Sequence, residues 1–487
     1  MDSEPLRMML DKIASEKLEI HSVLIVRHGY IVMEAYAAPF GKDDLHIVKS
    51  CSKSVVSALV GIALREGYLA SLDQRVVDIL PHQRIANLDD YKQMITIRDL
   101  LTMSSGITRQ EDGPNFGNYL NSSDCNQYYL NQPMAAQPGK LYAYDSAGAN
   151  LLMPILRKTS GMSNSDFANK FLFKPIGIKN YYWQKVAHGD YQGGYGLALT
   201  PMDMARFGYL YLKNGRWNGQ QIVPAEWVET SVSNHVGDMA ISPLDVTMVT
   251  KGPDNGYGFL WWLNAFGGFS AHGNSGQYII VMPEKDMVVV FTSGARENSL
   301  NTIKPLLLTE EYVNKSVVED SNLPEDSIKS AALASAIRDF ENPPVEGATA
   351  FPKTANRISG KKFLLDPNPL SCKSILVRFS GTDECTAEEE YPGFLFFNYL
   401  TKIPIGLDGK FRVSHPYSSV PDTSVYHQEF RRGTWIDEDT FLIERYQPWT
   451  DPRRILMTFR FHADRLQITI ASSAGESKLV INGKSEN

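Results

Sequence analysis

A serine hydroxyl and a lysine amine stand three residues apart in Lys49-Ser50-Cys51-Ser52-Lys53, a spacing that puts both on one face of a helix about one turn apart. The pair suits nucleophilic catalysis: the hydroxyl attacks a carbonyl and the amine takes its proton, provided burial keeps that amine neutral. Two other stretches stand out. Tyr144-Asp145-Ser146 follows the turn Pro138-Gly139 and precedes an apolar helix, Leu151 to Leu156. His272-Gly273-Asn274-Ser275 lies in a glycine-rich corner ahead of the strand Tyr278-Ile279-Ile280-Val281. A second Ser-x-x-Lys, Ser359-Gly360-Lys361-Lys362, is a decoy, because it runs into Asp366-Pro367-Asn368-Pro369, which no helix follows.

The elements that must hold these groups follow from periodicity. Beyond Lys53, Val56, Leu59, Val60 and Ala63 recur at helical spacing and Gly67 supplies a stop, so the helix begins at Ser50 with one apolar face. A serine there has an unpaired, outward N–H above the positive end of the helix dipole, and so brings nucleophile and anion-stabilising donor together. Cys51 points away and reads as core. The first twenty residues read as a surface helix. Ser22–Val26 and Ile31–Tyr36 flank Gly29 as a hairpin, and Tyr278–Val281 pairs with Val288–Thr292 across Pro283-Glu284-Lys285-Asp286. Thr96-Ile97-Arg98-Asp99 and Thr200-Pro201-Met202-Asp203 are capping boxes, and Leu300 to Leu308 reads as a returning helix. Strands at both ends with helices between them predict an α+β sandwich on an antiparallel sheet over 1–312.

The segment 313–350 reads as a charged helical piece and a linker at Asn342-Pro343-Pro344, and 351–487 as an all-β unit. Six strands are expected there, at Ser374–Phe379, Tyr426–Phe430, Thr440–Arg445, Ile455–Phe461, Leu466–Ile470 and Lys478–Ile481, closing into a barrel or sandwich. The aromatic stretch Tyr391 to Phe397 is the candidate contact with the catalytic part. A net charge of −7 with no basic tract argues against nucleic-acid or anionic-membrane partners. No apolar run is long enough to span a bilayer. Four cysteines without metal spacing fit a reduced, cytoplasmic setting and no metal or cofactor. Oligomeric state is left open.

Taken together, Ser50-Cys51-Ser52-Lys53, Tyr144-Asp145-Ser146 and His272-Gly273-Asn274 resemble the three motifs of the serine β-lactamase and penicillin-binding-protein superfamily, in the same order. The connecting text TIRDLLTMSSGI at 96–107 and GYGLALTPMDMARFGYLYLKNG at 194–215 is also similar to that superfamily. The tyrosine form of the second motif and the histidine of the third resemble its esterase-like, class C-like branch and the 6-aminohexanoate-oligomer hydrolases. The resemblance implies a β-lactamase-like fold with an acylated Ser50, Lys53 as activating amine and Tyr144 as the phenol that passes a proton to the leaving group. It implies an oxyanion site between the Ser50 amide and that of Asn274 or Ser275, with Ser146, His272 and Gly273 lining the substrate. Asp145 reads as a solvated turn residue. His272 stands where penicillin-binding members have a lysine, so the motif offers no permanent cation to a β-lactam carboxylate. The C-terminal part resembles the lipocalin-like barrel some members carry. The expected substrate is a small ester, amide or short peptide. Acyl transfer, aminopeptidase action and a stably acylated sensor are the alternatives.

Overall fold

The computed structural model describes the 487-residue chain except residues 81–83, 112–113, 187–188, 244, 246–253, 298, 321–322, 325, 344–350, 393–397, 415–427, 473–477 and 487. A seven-stranded antiparallel sheet organises the first three hundred residues, in the order Asp254–Tyr257, Trp262–Asn264, Phe269–Gly273, Gln277–Met282, Met287–Ser293, Ile20–Arg27 and Tyr30–Tyr36. Because successive side chains alternate across a strand, the sheet sorts its residues into two cores. Leu24, Val26, Ile279, Val281, Val288 and Val290 face the larger helical body. Val23, Ile25, Tyr278, Ile280, Val289 and Phe291 face the helices Ser3–Ser15, Lys304–Leu308 and Ser327–Glu341. The result is the α+β sandwich expected.

The helix after Ser50 runs Cys51–Arg65, and it is not amphipathic as the spacing suggested: every residue from Cys51 to Ala63 is buried. It lies at the centre of the larger core, between the strand Phe269–Gly273 and the helices Leu152–Ser160 and Ala225–Ser231. Two of its buried serines are bonded to backbone carbonyls, Ser52 Oγ donating to Lys49 O at 2.6 Å and Ser54 Oγ to Leu260 O at 2.7 Å. Cys51 is core, its Sγ 3.4 Å from the carbonyls of Ala271 and Gln277. Thr96 and Asp99 form the reciprocal capping box, and Thr200 caps Asp203 N at 3.1 Å ahead of Pro201. The expected helix over Leu300 to Leu308 is instead a 3₁₀ turn, Leu300–Ile303, followed by Lys304–Leu308. Ser327–Glu341 packs along the first helix, with Lys329 Nζ 3.0 Å from Asp2.

The C-terminal unit is a closed nine-stranded barrel. Its order is Asn398–Gly406, Glu384–Pro392, Ser374–Phe379, Lys362–Leu365, Leu479–Ser485, Arg465–Ser472, Asp451–His462, Thr440–Gln447 and Glu429–Trp435, sealed by Gly406 against Arg432. One end is filled by Trp435, Phe441, Phe459 and Phe461. Towards the other end Arg431 is buried between Glu389 and Glu429. Of the strand expected at Tyr426–Phe430, 426–427 lie outside the described residues and the rest falls at the start of Glu429–Trp435; Lys362–Leu365, Glu384–Pro392 and Asn398–Gly406 are strands beyond the six expected. Glu384–Pro392 turns Cys385, Ala387 and Glu389 inward, and that small and acidic set carries no apolar alternation. The decoy Ser359 ends a short helix, Gly360 turns at φ +77°, and Lys362 opens a strand. Of the aromatic stretch thought to touch the catalytic part, 393–397 lie outside the described residues. Tyr391 bonds Glu389 at 2.8 Å. Among the described residues, no helix is long and apolar enough to cross a membrane.

Candidate active site

Three short strands carry the nucleophile segment: His46–Ile47, Leu197–Leu199 and Tyr182–Trp183. Val48 N–H extends the first pairing to Leu197 O at 2.8 Å, and Leu197 N–H returns to Ser52 Oγ at 3.1 Å. Lys49 then takes a left-handed conformation, φ +50°, and throws the chain into the helix with Ser50 as its N-cap. The Ser50 side chain makes no cap bond. It faces Lys53 Nζ instead, at 2.8 Å.

Lys53 is 1% exposed and has two further partners, Ser146 Oγ and Gly194 O, each at 2.7 Å. Three contacts suit either state of the amine: an ammonium donates to all three, and a neutral amine donates to two and accepts from Ser50 Oγ–H. Burial pulls the Lys53 amine down to about 8, although the charges of Glu111 and Asp145 oppose that shift. Such an amine can take a proton from a hydroxyl near neutral pH.

Tyr144 is half-buried, its ring beneath Lys53 Nζ at 4.8 Å. Burial pushes the phenol well above its ordinary value, with the Ser50 hydroxyl bond working the other way, so it is a proton donor and not a phenolate. Its backbone is clamped from a direction with no sequence signal: Asp245 Oδ2 accepts Tyr144 N–H at 3.1 Å while Arg109 holds Oδ1 at 2.8 Å. The ring stacks on Trp262 at 5.6 Å, and His272 stacks on the other neighbouring position of Trp262 at 5.1 Å. Trp262 thus joins the second motif to the third. His272 Nε2 lies 2.7 Å from Ser270 Oγ, which donates to Asn264 Oδ1 at 2.5 Å. Burial lowers the imidazole to about 3, so it is neutral.

Asp145 is not the solvated turn residue the sequence suggests. It is 5% exposed, and it caps the short helix Ser146–Asn150 by accepting Ala147 N–H at 3.1 Å. Burial, with Glu111 nearby, raises its carboxyl to about 7. Glu111 itself accepts Ser146 N–H at 2.6 Å and was not singled out by any motif or period.

Gly273 is where the third motif meets the first: a Cβ there would stand 2.2 Å from Val48 O, two residues before Ser50. Only glycine permits that approach. Of the amides expected to form the oxyanion site, that of Ser50 donates to no group among the described residues. That of Ser275 is turned onto Asn274 Oδ1 at 2.9 Å. Ser275 is fully buried and its Oγ has no hydrogen-bond partner among the described residues. Among the described residues, no group of three or more His, Cys, Asp or Glu side chains is arranged to hold a metal.

A family model described as Beta-lactamase matches residues 10–307. The chain belongs to the Beta-lactamase family. The chain is similar to the 6-aminohexanoate-dimer hydrolase of Paenarthrobacter ureafaciens, 23% identical over 291 residues, covering 55% of this chain and 70% of that protein. An uncharacterized protein of Alkalihalophilus pseudofirmus is 25% identical over 314 residues, covering 55% of this chain and 82% of its own length. Among solved structures, EstCE1, a hydrolase with promiscuous acyltransferase activity, superposes with a TM-score of 0.52 at 18% identity, covering 64% of this chain and 99% of EstCE1. The β-lactamase fold and a place among its hydrolases follow; the C-terminal barrel lies outside the family match.

Proposed function

We propose that this chain is a serine hydrolase that forms an acyl-enzyme on Ser50 with small ester or amide substrates. The observation that carries the reading is the buried amine of Lys53, lowered to about 8 and 2.8 Å from Ser50 Oγ. Neutral Lys53 accepts the Ser50 proton as Oγ bonds to the substrate carbonyl carbon, and the carbonyl oxygen takes up the electron pair. The Ser50 amide, at the helix start, donates to that oxyanion, joined by an amide of the turn after Gly273. Tyr144, a neutral phenol, gives its proton to the departing alkoxide or amine and is reprotonated from Lys53. Water attacks the acyl-enzyme by the same relay in reverse.

Neutral His272 shapes the acyl side of the cleft and supplies no cation there, so the reading favours acyl groups without a carboxylate over penicillins. The name of the Paenarthrobacter relative, hydrolase of a 6-aminohexanoate dimer, lies within the ester and amide class. Transfer to an amine or alcohol uses the same intermediate and is measured by product ratios with added acceptor.

The test is Ser50→Ala. A fluorophosphonate should add one label to the wild type at Ser50 and none to the variant, and p-nitrophenyl acetate turnover should fall by several orders of magnitude with folding unchanged. Labelling that persists in the variant refutes the nucleophile. A single stoichiometric burst from the wild type refutes hydrolysis in favour of a stably acylated binding protein.

A further inference from the structure

The short three-stranded sheet supports both ends of the Lys53 contact. Ser50 follows its first strand, His46–Ile47, and Gly194, whose carbonyl receives Lys53 Nζ, precedes its second strand, Leu197–Leu199. The outer face of this sheet is apolar, with Leu45, Ile47 and Ala198 buried and Tyr182 packed beside them. The side chain that covers it comes from the barrel. Trp449, at the turn between the strands Thr440–Gln447 and Asp451–His462, completes that cluster and is 8% exposed. Tyr182 meets the indole edge-on at 5.4 Å. The contact also reaches the backbone. Ile47 N–H, on the open side of the sheet's edge strand, donates to Pro448 O at 2.7 Å. Trp449 Nε1–H is tied to the barrel by Gln428 O at 3.1 Å. Arg454 to Glu19, at 2.8 Å, and Phe40 packed against Phe430 and Tyr446 hold the same side of the barrel in place.

We propose that Pro448 and Trp449 are positioning residues of the active site, so that the barrel acts as the outer wall of the sheet that sets the Ser50–Lys53–Gly194 geometry. The proposal rests on Ser50 being the nucleophile. Removing the indole leaves Leu45, Ile47 and Ala198 facing a void, and the edge strand relaxes into it. Ser50 is three residues beyond Ile47, and a displacement of about 1 Å at a reacting atom costs on the order of a hundredfold in rate. Trp262 and His272 belong to the large sheet and not to the three short strands, so the loss should fall mainly on kcat and little on KM.

The experiment uses the full chain with Trp449→Ala, Trp449→Phe and, as a control, Phe459→Leu, which loosens the barrel interior away from the contact. The readouts are kcat and KM on p-nitrophenyl acetate, the rate of fluorophosphonate labelling at Ser50 by mass, and Tm. Trp449→Ala should slow labelling and kcat about ten- to a hundredfold with KM within about threefold. Trp449→Phe, which keeps an aromatic plug, should recover most of the rate. Phe459→Leu should lower Tm with kcat nearly unchanged. Wild-type labelling rates in Trp449→Ala overturn the proposal, as does a kcat loss in Phe459→Leu that matches Trp449→Ala at equal Tm loss. If Trp449→Ala does not accumulate, Trp449→Leu gives the same comparison. A wild-type label on a residue other than Ser50 refutes the nucleophile instead, and the kcat ratio of the Trp449 variants to Phe459→Leu still decides whether the barrel braces the site.

Discussion

Lys53 ties activity and stability to pH in a way that one substitution exposes. With the amine at about 8, about a quarter of it is neutral at pH 7.5, against about one part in a thousand for an ordinary lysine. kcat/KM should therefore rise about tenfold per pH unit below 8 and level off above it. The same shift bears on folding. The folded value lies below that of the unfolded chain, so between about 8 and 10.5 the unfolded state binds the extra proton. The burial cost is thus present in full below pH 8 and is relieved as pH rises towards 10.5. At about 1.4 kcal/mol per pH unit the full span is about 3 kcal/mol, of which about 2 falls between pH 6.5 and 9.5. Lys53→Met removes this titration, and groups that do not interact with Lys53 cancel between the two proteins; Asp145, which does, can only titrate higher without the amine and so adds to the difference in the same direction. Guanidinium unfolding of both proteins at the two pH values should show the wild type gaining about 2 kcal/mol on the variant. A constant difference, or a kcat/KM inflection near 10, refutes an amine held near neutrality.

Asp145 behaves in the opposite sense: its folded carboxyl, raised to about 7, lies above the unfolded value, so its cost is full above pH 7 and disappears towards pH 4. Asp145→Asn keeps an acceptor for Ala147 N–H, and should unfold at higher denaturant than the wild type at pH 8 but not at pH 4. Because Asp145 also raises the Lys53 amine, the kcat/KM inflection of this variant should move to lower pH. For His272, the value of about 3 predicts no inflection in kcat/KM between pH 5 and 7. His272→Asn should cost about ten- to a hundredfold through lost stacking and strand order, and a loss as large as that of Ser50→Ala would make it a proton carrier.

The parts of the site legible in the sequence are those whose signal is local. Ser50 and Lys53 are joined by helix geometry, Thr96 and Thr200 by capping chemistry, and Gly273 by the need for a residue without Cβ. The strands Gln277–Met282 and Met287–Ser293 follow from unbroken apolar runs. What was hidden depends on distant packing. Glu111, Trp262 and the Gly194 carbonyl reach the site from loops and a strand that no period connects to Ser50. Asp145 looks like a turn acid because its sequence neighbours are polar, and its burial comes from Tyr129 and the helix it caps. Trp449 sits in a tight turn between strands, where an isolated aromatic reads as exposed, and only the face formed by Leu45, Ile47 and Ala198 shows what it covers.

The bond from Ile47 to Pro448 joins positions at opposite ends of the polypeptide, and that gives synthesis a direction. A ribosome adding about 5–20 residues per second has finished the α+β domain well before it reaches the hairpin, leaving an interval on the order of ten to thirty seconds. During that interval the apolar patch of Leu45, Ile47 and Ala198 lacks the Trp449 indole that covers it in the finished fold. Long-range closure of this kind forms late. If the barrel braces Ser50 as proposed, the full acylation rate should appear only once the barrel has docked, and a translation product that stops before Pro448 should be acylated slowly.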